Sequence, residues 1–194
     1  MTLKKTNNLL LALIILINAY VIAGPFLPAI LFHWHGYSAK RQQLQAKVNA
    51  PQPKQLATPQ PNQVIIPSML LDQPILDGPE SQQYAILNKG IWRFQWSSTP
   101  DKGGNTVLIG HRFTYTDPRG VFYFLNKVKI GDRIAVWWNN KKYVYDVVGI
   151  NQVPATDTAI EGRSHQAELT LFTCTPLWLP KDRLVVVADL ETNL

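Results

Sequence analysis

The chain carries one cysteine, Cys174, at the end of the strand-like run ELTLFT. Thr175-Pro176 follows and stops that strand, so the thiol is expected at a sheet rim. His111 closes another such run, NTVLIG, and Arg183 opens the run after the cysteine, RLVVVADL. Strand ends can therefore gather a thiol, an imidazole and a guanidinium at one edge, a set suited to acyl transfer through sulfur. A free thiol is only a few per cent ionised at neutral pH, so the reaction needs a nearby base or positive charge, and later a proton donor for the leaving amine. His111 fits both tasks. The tetrahedral intermediate carries an oxyanion, and Arg183, which stays charged, is suited to face it. Taken singly, each residue also has an ordinary reading: a buried structural cysteine, a core histidine behind Gly110, and an arginine paired at the surface with Asp182 or Asp189.

The elements that must position these groups are mostly short and β-rich. VIIPSMLL, GIWRFQW, NTVLIG, RIAVWW, YVYDVVGI, ELTLFT and RLVVVADL are dense in β-branched and aromatic residues. Asn139-Asn140-Lys141-Lys142 between RIAVWW and YVYDVVGI reads as a hairpin tip, since asparagine tolerates positive φ. RGVFYFLNKV has Val121, Phe124, Leu125 and Val128 at helical spacing behind the breaker pair Asp117-Pro118 and predicts a short helix. Seven or eight strands in roughly 130 residues predict a closed barrel, which also removes exposed edges. The fold class expected is therefore all-β with one or two short helices.

Ahead of this domain the composition changes twice. The segment 9–32, LLLALIILINAYVIAGPFLPAILF, has no charged residue and at about 1.5 Å per residue reaches roughly 36 Å, enough to cross a bilayer. Asn18, Pro25 and Pro28 weaken the span, and Val21-Ile22-Ala23 before Gly24 is also the pattern of a signal-peptidase site. The apolar run continuing to Phe32 favours an anchor. The expected division is a cytoplasmic tail over 1–8, an anchor over 9–32, a basic and Pro-rich juxtamembrane linker over 33–61 and a catalytic domain over 62–194. KRQQLQAKVNA has the composition of a short helix, and prolines 51, 53, 59, 61 and 67 mark the linker that follows.

The net charge of +6 would suit a nucleic-acid partner, but its distribution argues otherwise. Six basic residues and no acidic one precede Asn62, whereas 13 basic residues meet 13 acidic ones from there on. The excess belongs to the N-terminal region, where it meets anionic lipid or wall polymer, and no nucleic-acid role is expected. Lys4 and Lys5 hold the N-terminus inside a cell, while Lys40, Arg41 and Lys47 on the other flank oppose that count. His33-Trp34-His35 has a metal-like spacing without a partner nearby, and reads as an interfacial aromatic cluster. Asp157 and Glu161, in the loop 151–168, are calcium-like loop carboxylates but too few for an oxygen cage, so no metal or cofactor is assigned.

Thr170-Leu171-Phe172-Thr173-Cys174, within LTLFTCTP, resembles the Thr-Leu-x-Thr-Cys signature of the sortase family. Arg183 stands nine residues after the cysteine, where that family keeps its essential arginine, and NTVLIGHR places His111 where it keeps its histidine. The similarity extends from IPSMLLDQPIL through GVFYFLNKVKIGDRI to RLVVVADL and includes the anchor and linker. It implies an eight-stranded β-barrel cysteine transpeptidase, preceded by one transmembrane helix, with the N-terminus inside and the catalytic domain extracellular. Its substrates would be secreted proteins with a C-terminal Leu-Pro-x-Thr-Gly-like sorting signal, cut between Thr and Gly and held as a thioester. The acyl group would pass to an amine acceptor such as a peptidoglycan precursor or a pilin lysine. No second apolar segment follows the domain and no lid motif stands in the linker, so class D or E is more similar than the pilus-building class C. Leu171, Thr173 and Trp178 are expected to touch substrate, with the loop 151–168 and Leu177-Trp178-Leu179 as walls. Two other readings compete: a different cell-wall cysteine transpeptidase or papain-type peptidase, whose local patterns are absent, and a membrane-tethered β-barrel binding module. Reaction of Cys174 with a mild thiol reagent separates enzyme from module.

Overall fold

The computed structural model describes residues 3–34, 37–53, 59–114, 120–177 and 180–191. Three helices come first, α1 (Leu3–Ala23), α2 (Leu27–Trp34) and α3 (Tyr37–Asn49); a fourth, α4 (Gln83–Leu87), lies between strands. The strands are β1 (Gln63–Ile66), β2 (Leu71–Leu76), β3 (Ile91–Arg93), β4 (Asn105–Ile109), β5 (Arg133–Trp138), β6 (Lys141–Pro154), β7 (Glu168–Thr175) and β8 (Asp182–Leu190). They close into a barrel in the order β1-β2-β3-β4-β7-β8-β6-β5. Most neighbours are antiparallel, but β2 with β3 and β4 with β7 run parallel.

The expected hairpin joins β5 to β6 through Asn139 and Asn140 at φ of 50° and 64°. Two successive positive φ values give the turn whose twist matches the strands. The helix expected in RGVFYFLNKV does not form: its described part is a series of turns ending in one 3₁₀ turn, Leu125–Lys127. Helical spacing there was misleading because Phe122, Tyr123, Phe124 and Leu125 are all buried, and four consecutive buried side chains do not suit a helix with one wet face.

Period-2 alternation sorts the strands into an interior and an outer face. Leu108, Leu169, Leu171, Val186 and Ala188 belong to the barrel core, while Val107, Phe172 and Val185 form a separate buried cluster with Ile109 and Val187 packed against it. The second cluster lies on the outside of β4, β7 and β8, and chain segments from elsewhere cover it.

The stretch expected as a linker divides in two. Its first half is α3, whose Leu44 and Val48 are buried against Ile65 and Ala135. Lys142 Nζ caps the helix end by donating to the carbonyls of Lys47 (2.8 Å), Val48 (2.5 Å) and Ala50 (2.6 Å). Lys47 in turn reaches Asp72 at 2.7 Å. A fragment starting at Asn62 is therefore expected to be less stable than one starting at Tyr37 by about 3 kcal/mol, or roughly 10 °C in Tm. Thermal unfolding of the two fragments checks this, and equal Tm values would mean that α3 adds nothing to the domain.

Residues Leu3–Phe32 form one run long and apolar enough to cross a membrane. Leu9, Ile14, Ile17 and Ile22 on it are more than half exposed, so the described residues leave this surface largely uncovered. Asn18, the polar residue within the run, donates to the Ile14 carbonyl at 2.8 Å, which satisfies its amide in part within the helix.

Candidate active site

Cys174, Arg183 and His111 occupy the outer face because of their parity along the strands. In the β7/β8 ladder Phe172 lies opposite Val185 and Cys174 opposite Arg183. Residues directly opposite share a face, so both functional side chains continue the row begun by Phe172 and Val185. Arg183 Nη1 donates to Cys174 Sγ at 3.4 Å. Among the described residues no carboxylate stands within ion-pair distance of Arg183, so the pairing with Asp182 or Asp189 weighed from sequence is not what holds it. Cys174 is half-buried, not a core residue.

His111 arrives from β4, where Ile109 pairs with Phe172 in parallel register. Beyond Ile109 the chain stays beside β7: Gly110 N–H donates to the Phe172 carbonyl at 3.4 Å, and Thr173 Oγ1 donates to the Gly110 carbonyl at 2.7 Å. The His111 carbonyl accepts from Phe122 N–H at 2.9 Å. Gly120 packs so closely on it that a Cβ there would come within 2.4 Å of that oxygen. The backbone carrying the imidazole is thus clamped between β7 and the turns at 120–122.

Arg112 adds a tie that sequence reasoning missed. Its Nη1 donates to Thr175 Oγ1, which links the residue after His111 to the residue after Cys174. Burial holds its guanidinium below the ordinary arginine range, opposed by nearby Tyr123, and its buried Nε has no hydrogen-bond partner among the described residues. A basic residue directly after the histidine was the only sequence cue.

A cleft of about 260 Å³ contains Cys174, His111 and Arg183 together. Its walls include Tyr84 and Leu87 of α4, Trp92 and Phe94, and Asp157, Ile160 and Glu161 of the loop after β6. That loop was an expected wall; α4, Trp92 of β3 and Phe94 just after it were not, because nothing links them to the cysteine in sequence. The Glu161 carboxyl lies above the usual carboxylate range, first through burial and then through Glu80, with Arg183 opposing. Among the described residues no group of three or more His, Cys, Asp or Glu is arranged to hold a metal ion.

The substrate contacts expected around the cysteine fare unevenly. Thr173 borders the cleft, but its side chain is buried and spent on Gly110. Leu171 does not reach the cleft: it is 0% exposed in the barrel core, because its odd number puts it on the opposite face of β7 from Phe172 and Cys174. Trp178 and Leu179 lie outside the described residues, as do the side chains of His33, Trp34 and His35.

The profile described as Sortase domain matches residues 64–191. Sortase D of Bacillus subtilis is 31% identical over 112 residues, covering 57% of this chain and 52% of that protein. Sortase SrtE1 of Streptomyces coelicolor is 31% identical over 136 residues, covering 62% of this chain and 37% of the relative. The chain thus matches about half or less of the length of these curated relatives. Among solved structures, Listeria monocytogenes sortase A superposes with a TM-score of 0.59 at 24% identity, over 68% of this chain and 86% of that one. Sortase C1 from Streptococcus agalactiae gives 0.59 at 24% identity, over 91% and 90%. These two likenesses speak for the fold.

Proposed function

Since the chain belongs to the sortase family, we propose that it is a membrane-anchored cysteine transpeptidase in which Cys174 is the nucleophile, His111 the proton carrier and Arg183 the oxyanion-side cation. The observation that carries this reading is the Arg183 guanidinium 3.4 Å from the Cys174 sulfur, in a cleft that His111 also lines. The substrate is a protein with a Leu-Pro-x-Thr-Gly-like sorting signal. Sulfur attacks the threonine carbonyl, and the oxygen of the tetrahedral adduct takes the charge beside the Arg183 fork. The C–N bond breaks, the leaving amine takes a proton from the imidazole, and a thioester remains. An amine acceptor, such as a peptidoglycan precursor or a pilin lysine, then attacks the same carbon. It gives its proton to His111 and expels the sulfur. Energy stored in the thioester makes the exchange possible without a nucleotide.

In this reading 9–32 anchors the enzyme with its N-terminus inside and the barrel outside the cell, as a class D- or E-like sortase. The substrate chemistry requires that side, because sorting signals and wall acceptors meet there.

The test is to trap the acyl-enzyme by intact-mass measurement after mixing the full-length protein, in detergent, with a Leu-Pro-x-Thr-Gly-type peptide. A mass gain equal to the N-terminal half of the peptide is expected on Cys174, and its absence under conditions of cleavage would sink the thioester route. Arg183→Ala should slow its formation by roughly a hundredfold or more. Its Tm should change little, since the exposed part of such a residue is worth at most about 1 kcal/mol. Arg183→Lys keeps the charge but not the fork and should recover only part of the rate.

A further inference from the structure

A second and larger cleft, of about 710 Å³, meets the first at Leu87 and His111. It lies between α3, the turn from β1 to β2, the segment joining α4 to β3 and the residues around Gly120, and it does not include Cys174. The two clefts differ in charge. The cysteine cleft has Glu80, Asp157 and Glu161 against Arg183. The second has Lys40 and Lys89 and, among its described residues, no carboxylate. Neither lysine has a carboxylate within ion-pair distance among the described residues.

We propose that this second cleft receives the amine acceptor, and that Lys40 and Lys89 select acceptors carrying an anionic group, carboxylate or phosphate, near the amine. The inference rests on the transpeptidase reading above. While the thioester exists, the acyl chain occupies the cysteine cleft, so the acceptor needs another way to the same carbon. It must also hand a proton to the imidazole that protonated the leaving amine, which requires hydrogen-bond reach of His111. The second cleft meets this condition, since it is lined by His111 and does not include Cys174. Its charge then orients the guest. An anion meets three carboxylates against one guanidinium on one side of His111 and two ammonium groups on the other, so an amino acid-like or phosphoamine acceptor enters amine first. Because both lysines are exposed, each contributes modestly and the effect is sensitive to salt.

The experiment measures how the thioester partitions between water and amine, using the full-length protein in detergent and a Leu-Pro-x-Thr-Gly-type donor peptide. The ratio of aminolysis to hydrolysis is a property of each active molecule, so partial loss of folded protein does not change it. Glycylglycine is compared with glycylglycinamide, and phosphoethanolamine with ethanolamine. The amines of each pair differ in basicity, so the decisive quantity is the change between wild type and the double variant Lys40→Gln, Lys89→Gln. A several-fold preference for the anionic member is expected in wild type, falling toward that of the variant as salt rises to 0.5 M. A shift in the first pair alone assigns a carboxylate, and in the second alone a phosphate; either supports the proposal. An identical preference in wild type and variant for both pairs overturns it while leaving the transpeptidase intact. Absence of any thioester in wild type removes the functional reading, and this inference with it.

Discussion

Cys174→Ala is expected to release no product from a Leu-Pro-x-Thr-Gly-type peptide and to gain no mass from it, since a methyl group cannot form the acyl-enzyme. Cys174→Ser should be nearly as inactive, because an alcohol is far harder to ionise than a thiol and leaves a tetrahedral adduct less readily. The fold should survive both changes. Cys174 is half-buried at a strand end, and the strand it ends is held by eight register pairs with β8. Mass spectrometry of the products and thermal unfolding of both variants check this together. Product formed by the alanine variant at anything near the wild-type rate would remove the cysteine from the mechanism.

His111→Ala should lose both half-reactions, because in the proposed mechanism one imidazole manages the proton when the thioester forms and again when the acceptor resolves it. A drop in kcat/KM of roughly a hundredfold to ten-thousandfold is expected for such a group. The backbone that carries it is fixed by Phe122 N–H and by Thr173 through Gly110, so the variant should keep its melting behaviour. Adding the thioester-forming and thioester-resolving steps separately, by quench at early times and by amine chase, shows whether both slow. A normal rate of acyl-enzyme formation in the variant would make His111 a structural residue and place the base elsewhere.

The proposed trio, which the structure brings to one cleft, was legible in the sequence because each member closes or opens a β-rich run, and a strand end is a local property. Alternation along ELTLFT also made Phe172 and Cys174 one face and Leu171 the other, although the expected substrate contact at Leu171 ignored that parity; the residue is 0% exposed. The helix expected around Val121 failed for the opposite reason. Spacing alone does not reveal that Phe122 and Tyr123, the off-stripe positions, are buried too, and burial on every side is set by neighbours that the sequence does not name. The paired role of Arg112 was invisible as well, since its partner Thr175 is 63 residues away.

By itself the sequence determined the long apolar N-terminal helix, the β-rich domain, the hairpin at Asn139-Asn140 and the three side chains proposed to carry the chemistry. All of these follow from local composition, period and turn preference. Only the tertiary structure decided that the cysteine and the arginine stand opposite each other in one ladder, and that α3 packs Leu44 and Val48 against β1 and β5. It also decided that the walls of the cleft come from α4, β3 and the loop after β6, and that a second cleft of opposite charge meets the first at Leu87 and His111. Those outcomes depend on strand order and register around a closed barrel. Such pairings join residues far apart in the chain, and the period of a single strand carries no information about which neighbour it will find.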